Sequence, residues 1–325
     1  MNLTIRTGGT ASQGEAFIAG GTTMVDLMKL GASSPNALVD LSARRAELSG
    51  IEVTETEVTL GALTTMAAAA AHPAVAAMPA IHAALVQAAS PQIREMATLG
   101  GNLLQRTRCS YFRDSRQPCN KRAAGSGCPA LGGEDGQHAV LGGSAQCIAT
   151  YPGDFAVAAL ALGAEITVDQ SNGMRARRPL AGFHRRPGDT PHLETALAPG
   201  ELIAAIHLPR GAWTGQTYVK LRDRASYAFA TASAAVALRL EGGTVAEARI
   251  VLGGLATIPW RSIAAEQVLI GMTASMAPAF AAGEAALTQA TTSPNNTHRV
   301  ELGVRAVARA ILDAAAQDRD QSGSL

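Results

Sequence analysis

Aromatic residues make up only 4% of this 325-residue chain, and charged residues only 16%. Its 27 basic side chains face 26 acidic ones, for a formal net charge of +1. A nucleic-acid binder normally carries a strongly basic face, so this balance argues against that class. No uninterrupted apolar run reaches the roughly 18 residues of a membrane span. The Ala-rich stretch 66–89 is interrupted by His72-Pro73, Pro79 and His82. Residues 1–17 lack the charged-then-apolar pattern of an export signal. The dinucleotide fingerprint G-x-G-x-x-G is missing, the seven histidines show no HExxH spacing, and there is no internal repeat. What remains is a globular composition, 47% hydrophobic and rich in alanine. It points to a core of Ala, Val, Leu and Ile, in one large domain or two to three small ones.

All four cysteines lie between residues 98 and 154: Cys109, Cys119, Cys128 and Cys147. The gaps between them hold 9, 8 and 18 residues, with no CxxC pair, which argues against a zinc ribbon. The closely spaced run of a bacterial ferredoxin is absent too. Pro118, Pro129 and a series of glycines fill the intervals, so the segment has no apolar periodicity with which to build a core. A loop of that length in a compact domain is functional or disordered. Four thiols with none left over fit one iron–sulfur cluster, and the spacing leaves zinc and a pair of disulfides or free thiols as alternatives. The basic residues Arg106, Arg108, Arg113, Arg116, Lys121 and Arg122 are expected to offset an anionic cluster and to lower the thiol pKa values. His138 lies in the same loop and is expected either to be structural or to face a metal.

Two Gly-Gly turns follow apolar segments. Gly20-Gly21-Thr22-Thr23 follows Phe17-Ile18-Ala19 and leads into a helical stretch at 24–30. Thr98-Leu99-Gly100-Gly101-Asn102 opens the cysteine-bearing segment. Glycine lets backbone N–H groups approach a phosphate, a helix start adds a favourable dipole, and threonine adds hydroxyl donors. Two such turns fit a pyrophosphate held from two sides.

The remaining pattern is mixed. Residues 1–53 read as β-α-β, with strands near 3–6, 17–19 and 37–40. Residues 53–61 alternate as a half-buried strand, and helices follow to about residue 89. Asp154 is a good N-cap for a helix at 155–160. Later strands fall at 201–208, 218–220 and 248–254. The small-residue run 230–240 suits a helix or a strand, and helices fill the chain to about residue 316. The polar end, 317–325, reads as frayed.

The motifs Ala19-Gly20-Gly21-Thr22-Thr23-Met24-Val25-Asp26-Leu27-Met28-Lys29 and Thr98-Leu99-Gly100-Gly101-Asn102-Leu103-Leu104-Gln105 resemble the two FAD-pyrophosphate loops of the medium subunit of molybdenum hydroxylases. That family includes xanthine dehydrogenase, carbon monoxide dehydrogenase and aldehyde oxidoreductases. Pro152-Gly153-Asp154, the run from Lys220 to Ala228, and Leu252-Gly253-Gly254-Leu255 with Pro259-Trp260-Arg261 keep the family's order. The cysteine insertion closely resembles that of the FAD and 4Fe–4S subunits of bacterial periplasmic aldehyde oxidoreductases. The likeness runs from about residue 15 to about residue 312.

The resemblance implies an α+β fold. A PCMH-type FAD-binding fold of two α+β sub-domains, at 1–53 and 54–178, would carry the 4Fe–4S loop as an insertion at about 105–148. A C-terminal α+β domain of the CO dehydrogenase flavoprotein type would follow at 179–316, with a tail at 317–325. It implies FAD contacts from Ala19, Gly20, Gly21, Thr22, Thr23, Met24, Leu27, Thr98, Gly100, Gly101, Asn102 and Asp154, with Ile203 and Lys220 near the flavin ring. It implies a 4Fe–4S cluster on Cys109, Cys119, Cys128 and Cys147, and no catalytic side chain in this chain. The function implied is electron transfer in a heterotrimeric aldehyde oxidoreductase. A large subunit would hold molybdenum with its pterin cofactor, and a small subunit two 2Fe–2S clusters. Electrons would pass through FAD to an external acceptor. Without a signal of its own, the chain would be periplasmic by co-export with a partner, or cytoplasmic. The competing readings are a stand-alone PCMH-type FAD oxidoreductase and a zinc- or disulfide-stapled scaffold subunit. Cys119→Ser is expected to remove cluster iron and leave FAD mostly bound.

Overall fold

A computed structural model describes residues 3–322. Three sheets organise the chain. Strands β1 (Thr4–Thr7), β2 (Glu15–Ile18) and β3 (Ala37–Asp40) form a small parallel sheet in the order β1-β3-β2. Parallel neighbours need a crossover, and the helix Met24–Lys29 lies in the one between β2 and β3. The first glycine turn is therefore the link from strand to crossover helix.

The second sheet has five strands, in the order β4-β5-β8-β6-β7. These are β4 (Ile51–Val53), β5 (Glu57–Gly61), β6 (Glu165–Asp169), β7 (Arg175–Pro179) and β8 (Leu202–Pro209). The alternating stretch 53–61 is thus not one strand. It is broken at 54–56 by a turn, where Glu57 N–H donates to Thr54 Oγ1 at 3.0 Å. The strand expected to belong to the C-terminal unit is β8, and it sits between β5 and β6 instead. Both of its faces are covered, so it reads as a plain apolar run that carries no sign of its partners. In sheet topology the C-terminal unit starts after β8.

That unit is an antiparallel sheet in the order β12-β11-β10-β9, with β9 (Gly215–Leu221), β10 (Ala232–Glu241), β11 (Thr244–Gly253) and β12 (Trp260–Arg261). The helices Ile263–Leu269, Met276–Leu287 and His298–Ser322 follow it. The run left open between helix and strand is strand β10. Ala232, Ala234, Val236 and Leu238 join the core shared with these helices, and Ala235 and Ala237 join the core shared with the FAD-type half. Burial of both faces removes the polar alternation that would have marked it as a strand.

The helix Phe155–Ala161 lies between the two halves, and all its residues except Leu160 are buried. Its alanines let helix and sheet approach closely, which is how a core so poor in aromatics reaches interior density. The segment expected to fray begins with helix, since the last helix runs to Ser322, and residues 323–325 fall outside the described residues. Gln317 closes it on strand β9: its Oε1 accepts from Gln216 N–H at 3.0 Å and its Nε2 donates to Gln216 O at 2.9 Å. Among the described residues no helix is long and apolar enough to cross a membrane.

Strand β9 depends on a missing side chain. A Cβ on Gly215 would sit 2.0 Å from the Ala314 carbonyl oxygen. Gly215→Ala is therefore expected to push the C-terminal helix off the sheet and cost about 1–3 kcal/mol, the usual range for overpacking. Denaturant unfolding of the variant beside the parent checks this.

Candidate functional site

The two glycine turns meet in space because one of them has no side chain. A Cβ on Gly20 would lie 1.8 Å from the Met96 carbonyl oxygen, so only glycine admits the contact. Gly21 takes a φ of +73°, the left-handed region that glycine enters without strain. Among the described residues the N–H groups of Thr22 and Thr23 meet no acceptor, and Thr23 gives no side-chain cap to the helix it precedes. The second turn is the start of the short helix Leu99–Leu103. Its Thr98 Oγ1 accepts from Gly101 N–H at 3.3 Å, and Gly100 N–H donates to Ala62 O at 2.8 Å.

A cavity opens on each side of this meeting point. The larger, about 600 Å³, is lined by Thr22, Thr23, Asp26, Gly101, Asn102, Arg108, Arg113 and Asp154, with Tyr227 and Phe229 at its edge. The smaller, about 310 Å³, is lined by Ala19, Gly20, Gly21, Met24, Thr98, Gly100 and Ile203, among apolar side chains such as Phe17, Leu63 and Leu104. Thr22, Thr23 and Gly101 line both. The two are thus lobes of one elongated groove with the glycine turns at its waist. Asn102 Oδ1 is buried there without a partner. Free N–H groups at the waist, an orphaned carbonyl oxygen beside it and a groove of this length fit a dinucleotide with its pyrophosphate in the middle.

Two of the expected FAD contacts, Leu27 and Lys220, line neither lobe. Leu27 is buried and packs on Phe112, Ala32 and Cys119, because its helical phase turns it away from Asp26 and toward the cysteine loop. Ile203 and Lys220 were both expected at the flavin ring, but they are not brought together. Ile203 lines the smaller lobe. Lys220 is buried behind Asp154 on the side of the larger one, its Nζ 2.7 Å from Asp154 Oδ2 and 3.1 Å from Gln87 O. Asp154 makes no side-chain cap to the helix at 155–161. Its other oxygen accepts from Tyr218 Oη, so two neighbours on β9 take the carboxylate from the helix end. Burial pushes this carboxyl up, and the Lys220 ammonium opposes the shift.

The four cysteines converge. Cys109, Cys119, Cys128 and Cys147 line a single small void with Phe112, Pro118, Pro129 and Ala149. All four are free thiols, which removes the disulfide pairing left open by their spacing. Among the described residues no three ligating side chains are close enough for a single metal ion. Four thiols around one void are the donor set that a single four-iron cluster takes. His138 Nε2 lies 3.2 Å from Cys109 Sγ, and its Nδ1 is buried without a partner.

The expected lowering of the thiol pKa values is not found at Cys109 and Cys147. Burial raises Cys109 to about 11 and pushes Cys147 up as well. The neighbouring cations are engaged elsewhere. Arg106 and Lys121 share Glu194, Arg116 binds Asp114, and Arg122 donates to the carbonyls of Tyr111, Phe112 and Gln117. Arg108 and Arg113 both reach Asp26, on the helix after the first glycine turn. This link between the loop and the turn is absent from any sequence motif.

Comparison with known proteins agrees with this geometry. Residues 8–211 match the family described as FAD binding domain in molybdopterin dehydrogenase, and residues 216–314 the CO dehydrogenase flavoprotein C-terminal domain. The chain belongs to the FAD-binding subunits of the molybdenum hydroxylase family, a family of oxidoreductases. Among its relatives, the aldehyde oxidoreductase FAD-binding subunit PaoB of Escherichia coli is 45% identical over 94% of this chain and 92% of its own. The carbon monoxide dehydrogenase medium chain of Afipia carboxidovorans is 31% identical over 87% of this chain and 80% of its own. The solved carbon monoxide dehydrogenase of Hydrogenophaga pseudoflava shares the fold, with a TM-score of 0.75 over 98% of both chains at 24% identity.

Two outcomes follow from the waist. A Cβ on Gly101 would meet only Thr98 Oγ1, at 3.0 Å, so a larger side chain there enters the groove rather than the core. Gly101→Val is expected to remove bound flavin and leave the circular dichroism spectrum unchanged. His184 braces the second turn through Leu103 O at 3.0 Å, and burial lowers its pKa to about 4. As pH falls below about 6.5 the unfolded chain takes up this proton and the folded chain does not. Stability is then lost progressively between pH 6.5 and 4, by on the order of 3 kcal/mol. His184→Gln keeps a donor for Leu103 O and should flatten that part of a stability-against-pH curve.

Proposed function

We propose that this chain is the FAD- and 4Fe–4S-containing electron-transfer subunit of a heterotrimeric molybdenum aldehyde oxidoreductase. The observation that carries the flavin part is the groove whose two lobes share Thr22, Thr23 and Gly101. The free N–H groups of Thr22 and Thr23 hold the pyrophosphate at the waist, and Gly101 on the second turn leaves the room for it. The smaller lobe, walled by Phe17, Leu63, Leu104 and Ile203, takes the adenine end. The larger lobe, backed by Asp154, takes the flavin ring. Lys220 then acts on the ring through Asp154 rather than by touching it. Bound FAD supplies the electron relay between the partner subunits and an external acceptor, while the protein supplies position and electrostatics.

The four cysteines hold the 4Fe–4S cluster, a reading supported by their convergence on one void and by the free state of all four. The aldehyde reading, from aldehyde and water to carboxylic acid on a molybdenum-bearing large subunit, is supported by the 45% identity to an aldehyde oxidoreductase FAD-binding subunit. A small subunit with 2Fe–2S clusters completes the assembly. A periplasmic location, reached by export with a partner, or a cytoplasmic one agrees with this arrangement.

Anaerobic purification of the chain followed by its visible spectrum and iron content tests the proposal. Flavin bands with about four irons per chain are expected. Flavin without iron would leave the FAD fold standing, remove the cluster and favour the stand-alone oxidoreductase.

A further inference from the structure

The arginines on either side of Cys109 do not face the cysteines. Arg113 grips Asp26 with both Nη atoms, at 2.7 and 3.1 Å, and Arg108 Nη1 reaches the same carboxylate at 3.2 Å. All three residues line the larger lobe beside Thr22 and Thr23. Two guanidinium groups share one carboxylate, which leaves an excess positive charge at the rim of the groove. Arg108 Nε is buried with no acceptor, and the guanidinium lies over the Phe229 ring with its centre 5.0 Å from the ring centroid. Arg108 thus keeps a spare donor beside an anion-binding turn and shares its one anionic partner with Arg113.

We propose that Arg108 and Arg113 extend the FAD site into the cysteine loop by supplying the positive charge for the pyrophosphate. The inference rests on the flavin reading above and deepens it. Backbone N–H groups at a glycine turn give an anion hydrogen bonds but no net charge, and guanidinium groups give both. Asp26 holds the two cations at the rim between the cysteine loop and the turn. The same connection is braced by packing, since Leu27 on the turn's helix touches Phe112 and Cys119 of the loop.

The loop and the turn are then not separate modules. Whatever orders the loop also presents Arg108 and Arg113 to the groove, and occupation of the groove helps to order the loop, as linkage requires. The expectation that Cys119→Ser leaves FAD bound is replaced: the variant should bind FAD more weakly.

Titrating the flavin-stripped full chain with FAD and with riboflavin, read by flavin fluorescence at two salt concentrations, tests this. Riboflavin carries no phosphate. Arg108→Gln and Arg113→Gln are each expected to raise the Kd for FAD about tenfold or more, to reduce its salt dependence, and to leave riboflavin binding within about twofold. Asp26→Asn keeps a hydrogen-bond acceptor but removes the competing negative charge, and is expected to hold FAD as tightly as the parent or more so. FAD affinity within about twofold of the parent in both arginine variants would overturn the proposal. So would an equal loss of FAD and riboflavin, or a loss in Asp26→Asn as large as in the arginine variants, since the three residues would then only brace the loop. A parent chain that binds no flavin at all would overturn the flavin reading and this inference with it.

Discussion

The buried contact between Lys220 and Asp154 ties together the parts of the protein that must stay in register. Asp154 stands just ahead of the central helix at 155–161, Lys220 lies on β9 of the C-terminal sheet, and Gln87, whose carbonyl the same ammonium reaches, follows the helix Pro79–Val86. Burying one charge is costly, and burying two is tolerated only when they meet with good geometry and further hydrogen bonds. Tyr218 provides one of those, on the second carboxylate oxygen. These three segments, two from the second sub-domain and one from the C-terminal sheet, are therefore held in the arrangement that satisfies all three groups. That arrangement also brings β9 alongside the groove, so Arg222 to Thr231, the connection to β10, runs past its mouth.

The second constraint is the absence of side chains at the waist. Gly20 must touch the Met96 carbonyl, and Gly100 must pack on Ala62. The first contact draws the parallel sheet and the second sub-domain together at one point and leaves a lobe on either side, and the second seats the turn within its own sub-domain. An elongated cofactor with its charge in the middle follows from that shape. The alanine-rich core does the equivalent work behind the waist, where Ala156, Ala158, Ala159 and Ala161 let the central helix sit between the C-terminal sheet and the helices of the second sub-domain.

What could be read from the residues, and what could not, divides along physical lines. The glycine turns were legible because a phosphate site needs Gly and Thr in a short local pattern. The four cysteines were legible as a set, but their burial was not, and so the direction of the thiol pKa shift was misread. Leu27 was misplaced because a motif does not state the helical phase, which turns Asp26 to the groove and Leu27 to the loop. Ile203 and Lys220 were assigned one location because their motifs carry no information about which lobe each faces. The hairpin at 54–56 was hidden because Thr54-Glu55-Thr56 holds no Gly, Pro or Asn to mark a turn. Arg108 and Arg113 were seen only as members of a basic run, since their partner Asp26 lies 82 and 87 positions away in sequence.

The clasp of Gln317 on Gln216 has a consequence for association. Strand β9 is an edge of its sheet, and an edge strand offers free backbone groups to any other strand that arrives. The carboxamide of Gln317 occupies the N–H and the C=O of Gln216 together, as the peptide group of a neighbouring strand would. A side chain at the end of the last helix thus stands in for a missing strand. Near its start, β9 is closed to strand addition, and a sheet that could otherwise grow by joining another chain stops within its own.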